Sequence, residues 1–151
     1  MVSRVFSAGL SGIDGYIVTV ECFLSGGLPR LDVVGLPTGA VSEAGERVRA
    51  AAKACAFDWP VSRLTVNLAP ADTKKAGTAY DLPLLLSILA AAGEIDAPPD
   101  NALFFGELSL TGELRPVCGA LSMALAARDA GFKTVFVPAM NAAEASYASG
   151  V

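Results

Sequence analysis

The chain has 151 residues, is 53% hydrophobic and 17% charged, carries a formal net charge of −4 and contains no histidine. That balance excludes a disordered segment and supplies enough apolar surface for one domain with its own core. It also excludes Ser-His-Asp and Cys-His catalysis, leaves a zinc site short of ligands, and lacks the basic surplus of a dedicated nucleic-acid module.

"SRVFSAGL" (3–10) and "YIVTVECFL" (16–24) read as strands. The second alternates, with Tyr16, Val18, Val20, Cys22 and Leu24 on one face and Thr19 and Glu21 on the other. "LDVVGL" (31–36) follows the turn "GGLPR", so the first third is expected to be a three-strand meander. A helix is expected over about 39–56, where Val41, Ala44, Val48, Ala51, Ala52 and Cys55 recur at helical spacing. Glu43, Glu46, Arg47, Arg49 and Lys53 fall mostly off that stripe and read as a solvated face.

"RLTVNLAP" (63–70) is a strand with Leu64, Val66 and Leu68 on one side. "KKAGTAYDLP" (74–83) then leads into a helix over about 81–92. "ALFFGELSL" (102–110) and "ELRPV" (113–117) read as a hairpin about Thr111-Gly112. A helix over about 119–130 ends with Gly131 as its C′ residue, and "KTVFVPA" (133–139) reads as a buried strand. Asn141, with Glu144 three residues on, reads as the cap of a last helix. The order predicts an α/β, two-layer (α+β) domain over 1–151 with a mixed sheet and helices. The lack of a closing strand suggests a chain cut from something longer. "LPLLLSILAAAG" falls short of the ~18–20 residues of a membrane span, and the start lacks a secretory apolar core, so a cytoplasmic location is expected. Cys22, Cys55 and Cys118 form no CxxC pair and read as small buried hydrophobes.

Three chemistries could sit in the loops. "GLPTGAVSEAGE" (35–46) is glycine-rich but holds no GxxxxGK[ST], so this chain is not expected to be an NTPase. A Ser or Thr nucleophile would need a desolvated lysine as base. Lys74 and Lys75 lie near Thr78 in sequence, but a two-lysine loop is expected to be solvated. Lys74, Lys75, Gly77 and Thr78 could instead contact an anion or partner at a helix N-terminus, although Asp81 reads as the cap already there. Arg47, Arg49 and Arg115 could extend that basic patch.

Residues 9–60, 63–91 and 103–145, and above all "NLAPAD", "AYDLP" and "GELSLTGELRPV", resemble the N-terminal domain of the magnesium-chelatase-like AAA+ ATPases of the YifB or ComM (competence protein) family. The resemblance implies a fold like domain 2 of ribosomal protein S5, also used by the Lon protease domain. It implies an AAA+ module C-terminal to this chain and absent from it, which binds ATP and Mg2+ and hydrolyses ATP as a ring, expected to be a hexamer. The implied partners are that module, its ring neighbours and DNA, with no membrane. Members studied in natural transformation act as helicases that promote branch migration. Set beside the motifs of Lon-type proteases, the sequence has Ala79 where the serine stands and Leu121 where the lysine stands. Both catalytic positions are then vestigial and are expected to pack against each other. A non-catalytic accessory domain, a Ser/Thr-Lys peptidase and a direct DNA-binding module are the readings carried forward.

Overall fold

The structure, a computed structural model that describes residues 2–73 and 75–151, centres on a mixed six-stranded sheet. β1 (Val2–Ser11) and β2 (Asp14–Ser25) form a long antiparallel hairpin. β3 (Arg30–Val34) does not return beside β2. It leads into α1 (Thr38–Ala54), which carries the chain over to β4 (Arg63–Ala69). β4 pairs antiparallel with β2 and parallel with β3, so the expected meander is corrected to the order β3-β4-β2-β1, with two further strands beyond β1. Burial accounts for the difference. β4 buries Leu64, Val66 and Leu68 as expected and takes a neighbour on each edge, whereas β3 is at most half-buried and takes the rim.

α2 (Asp81–Ala91) follows, then β5 (Ala102–Phe104), β6 (Glu107–Leu108), β7 (Leu114–Arg115), α3 (Ala120–Asp129), β8 (Thr134–Phe136), a 3₁₀ turn at Ala139–Asn141 and the short α4 (Ala142–Ala145). The long hairpin expected over 102–117 is split. Ala102–Phe104 joins the main sheet, parallel to β1 and β8, and only β6 and β7 pair as a hairpin. Gly106 makes the break: its N–H donates to the carbonyl of Ala79, and a Cβ there would lie 2.9 Å from Leu114 Cδ2. The strand expected to be buried at 133–139 is instead the sheet's edge, with Thr134 and Phe136 exposed and the Phe136 ring stacked on Phe104 at 4.8 Å.

The fold class is α/β with a mixed sheet and helices. Val5, Ser7 and Gly9 of β1 share a sheet face with Val20, Val18 and Tyr16 of β2, and α2 packs there beside α1. Ala8, Leu10 and Ile17 turn to the opposite face, where α3 adds a further layer. α3 ends as the sequence suggests: Gly131 has φ +90°, and the N–H groups of Phe132 and Gly131 donate to the carbonyls of Ala127 and Arg128, a Schellman closure. Among the described residues no helix is long and apolar enough to cross a membrane.

The cysteine reading holds for Cys22, which is buried in the core, and is corrected for Cys55 and Cys118, which are exposed. Cys55 sits past the last turn of α1 and Cys118 in the loop before α3, where no layer covers them. Burial pushes the Cys22 thiol from 9.0 up to about 11, and burial raises the Tyr80 phenol as well. Both groups stay protonated in the fold at pH values where the unfolded chain ionises. The Cys22 contribution is therefore whole below pH 9 and lost as pH rises toward 11, while that of Tyr80 is whole up to its ordinary value of 10.0 and persists beyond that window. We expect urea-unfolding stability to decline over that window, and Cys22→Ala to reduce the slope by roughly one proton's worth. An unchanged slope in Cys22→Ala would contradict the assignment.

Candidate functional site

The loop after β4 reverses the chain toward α2. Lys75 within it is only 1% exposed, and its Nζ donates to the carbonyls of Pro70 and Thr73. The expectation of a solvated lysine is corrected: two carbonyls replace water around the ammonium. Desolvation lowers its pKa, and Asp72 partly opposes that shift. Its charge points into its own loop rather than toward an incoming anion. Lys74 lies outside the described residues. Gly77, at φ +89°, is exposed, and Thr78 and Ala79 are half-buried. The Ala79 carbonyl accepts from Gly106 N–H at 2.9 Å, while the Gly106 carbonyl accepts from Leu82 N–H at 3.1 Å. This pair of bonds straps the start of α2 to the segment entering β6.

Asp81 is the first residue of α2, but its side chain does not cap the helix, so the capping reading is corrected. The carboxylate is 1% exposed and accepts two hydrogen bonds from Arg47, at 2.6 and 3.0 Å, and one from Leu108 N–H at 3.1 Å. Burial raises the carboxyl's pKa, and the bonds from Arg47 and Leu108 work against that rise. The same bond holds the Arg47 guanidinium above its already high value. Arg47 thus leaves the solvated face assigned to it, because α1 lies close enough to α2 for a forked side chain to reach the carboxylate in two places. Arg49 instead lies over the Trp59 ring, 5.5 Å from its centre, and Arg115 is exposed on β7 opposite Glu107. Arg47, Arg49 and Arg115 therefore serve three different surroundings and build no common patch.

Beside this strap is a cavity of about 320 Å³. Its walls include residues 76–80, Gly9 and Leu10 of β1, Pro116–Cys118, and Met123 of α3. Gly9 is required by close approach, since a Cβ there would collide with the Tyr80 hydroxyl and come within 2.9 Å of the Tyr16 ring. Ala79 packs with the apolar cluster of Ala8, Phe105, Ala120 and Met123. Leu121 is half-buried at the start of α3 and is not a lining residue; its N–H donates to the Glu144 carboxylate at 2.9 Å. The lining residues thus include Ala79 with its methyl group, Thr78 and Tyr80 with hydroxyls, and Cys118 with a thiol, and the rest are glycine, proline and apolar residues.

Asn141 holds one wall. It is 5% exposed, its Oδ1 accepts from Val117 N–H at 2.8 Å, and its Nδ2 donates to the Val117 carbonyl at 3.0 Å. The N-cap reading of its side chain is corrected, as is that of Glu144, which reaches Leu121 of α3 instead. The spacing Asn-x-x-Glu suits a capping box equally well, so nothing in the sequence distinguishes the two uses. Pro116–Cys118 also escaped sequence reasoning, because a lining role depends on which loops the fold brings together.

Residues 20–141 match the family described as "Subunit ChlI of Mg-chelatase". The chain is similar to competence protein ComM of Haemophilus influenzae, with 42% identity over 146 residues, covering 96% of this chain and 28% of that protein. An uncharacterized protein of Mycobacterium tuberculosis is 43% identical over 151 residues, covering 99% of this chain and 30% of that protein. The mitochondrial Lon protease homolog of Caenorhabditis briggsae is 36% identical over 80 residues, 53% of this chain and 8% of that protein. The chain therefore spans less than a third of the length of the first two relatives.

Proposed function

The chain belongs to the family of subunit ChlI of Mg-chelatase, and from that premise we propose that it is a non-catalytic accessory domain of a magnesium-chelatase-like AAA+ ATPase. The ATPase module, with ATP and Mg2+, lies C-terminal to these residues. This domain assembles, regulates or presents substrate to a ring, taken to be a hexamer, that works on DNA as a ComM-like helicase and branch-migration motor. The observation that carries the reading is the cavity at the start of α2. It is lined by Ala79, which has no oxygen to attack with, while Lys75 spends its hydrogen bonds on Pro70 and Thr73. In the full-length protein, removal of residues 1–151 is expected to spare ATP hydrolysis and to reduce ring assembly or branch migration of a four-strand DNA junction. Unchanged assembly and migration would exclude the accessory role.

One observation favours a second reading, a Ser/Thr-Lys peptidase. Lys75 is desolvated and three residues from Thr78, a cavity-lining hydroxyl. We expect no cleavage of unfolded casein and no labelling by a fluorophosphonate probe. Labelling that disappears in Thr78→Ala would establish the peptidase instead.

A further inference from the structure

Where β3 and β4 begin, two arginines and the chain's single tryptophan line one cleft, with a third arginine beside it. Pro29, Arg30, Arg49, Trp59 and Pro60–Ser62 line a cavity of about 190 Å³. Arg63 lies beside it, since Arg30 and Arg63 are direct partners in the parallel β3–β4 register. Asp32 bonds to Arg30 at 2.7 Å and approaches Arg63 at 3.6 Å. Two guanidiniums thus share one carboxylate, Arg49 lies over Trp59 instead, and Arg30 and Arg63 keep more than half of their side chains in solvent. A net excess of cations here stands out in a chain whose overall charge is −4. The adjoining cleft, which shares Pro60–Ser62, is lined by Asp58 and Glu94. A polyanion crossing this end is therefore repelled from one side and held on the other.

We propose that this cleft binds single-stranded nucleic acid. Arg30 and Arg63 hold consecutive phosphates, while the Arg49–Trp59 stack and the exposed Val61 give an unpaired base flat and apolar surface to lie on. The cavity's size suits one base rather than the width of a duplex. Arg guanidiniums present forked donors that match phosphate oxygens, and their planes stack on bases. The site is distinct from the cavity at α2. It deepens the DNA-motor reading by giving this domain its own strand contact, and it rests on that reading only in the choice of polymer.

Trp59, as the only tryptophan, reports directly on its occupancy. The chain is titrated with a 12-nucleotide oligothymidylate at low salt while Trp59 emission is followed. Saturable quenching is expected, with log K falling against log salt at a slope of about −1.4 for two phosphate contacts. Arg30→Ala/Arg63→Ala should weaken binding at least tenfold and remove about 1.4 from that slope. Asp32→Asn, which frees two guanidiniums, should tighten binding severalfold; this opposite sign separates the proposal from mere loss of fold. No quenching at low salt, or quenching indifferent to both variants, overturns the cleft. Equal or tighter binding of duplex DNA overturns the single-strand assignment, and thymidine monophosphate or inorganic phosphate binding as tightly as the oligomer overturns a polymer site. None of these outcomes alters the branch-migration result for the full-length protein, so the two readings fail separately.

Discussion

Asp81→Ala is expected to lower the unfolding free energy by about 3–5 kcal/mol, measured by urea denaturation near neutral pH. The carboxylate accepts both Arg47 bonds and the Leu108 N–H while almost wholly removed from water. Deleting it leaves a guanidinium whose side chain is 21% exposed without its counter-charge, and a backbone donor without an acceptor. Each loss carries its own desolvation cost. Arg47→Ala should cost a similar amount, because it strands the carboxylate. Arg47→Ala/Asp81→Ala should lose much less than the sum of the two single changes, giving a coupling of about 2 kcal/mol or more in a double-mutant cycle. A loss below about 1 kcal/mol in Asp81→Ala would show that the pair is not holding α1, α2 and β6 together.

The same pair shows where the sequence could be read and where it could not. The stripe Ala44, Val48, Ala51 and Ala52 is buried as its 3.6-residue period requires, and Leu64, Val66 and Leu68 are buried as strand alternation requires. Periodicity assigns a residue to a face of its own element. It does not say what another element brings to that face. Arg47 lies off the apolar stripe and is nevertheless drawn to Asp81, 34 residues away, because α1 and α2 lie side by side. Lys75 looked solvated for the same reason: its partners are the carbonyls of Pro70 and Thr73, which carry no signal in side-chain pattern.

Strand order followed a comparable limit. β3 and β4 were each legible, but a strand–helix–strand run allows β4 to insert between β2 and β3 just as well as to extend a meander. Only the depth of burial on β4 decides it. The cavity itself was half legible. Residues 77–79 were singled out from glycine placement and from the resemblance to Lon-type motifs, and the structure places all three on its wall. The opposite wall, Pro116–Cys118, owes its position to a side chain 24 residues further on.

That side chain gives the second large effect. Asn141→Ala should destabilise the chain by about 2–4 kcal/mol, because it removes the acceptor of Val117 N–H and the donor to Val117 carbonyl together. Both backbone groups would then have to find water in a site that now shields them. The wall they belong to should loosen, and Cys118, already exposed at the cavity, should react faster with a disulfide reagent such as dithiobis-nitrobenzoate. Cys55, exposed at the far end of α1, is an internal control whose rate should not change. Asn141→Asp tests the direction of each bond, since it keeps the acceptor for Val117 N–H and loses only the donor. Its stability should fall between the wild type and Asn141→Ala. Equal acceleration at Cys55 and Cys118 would mean global loosening, and Asn141 would then be one more buried polar residue rather than the tie that shapes the cavity.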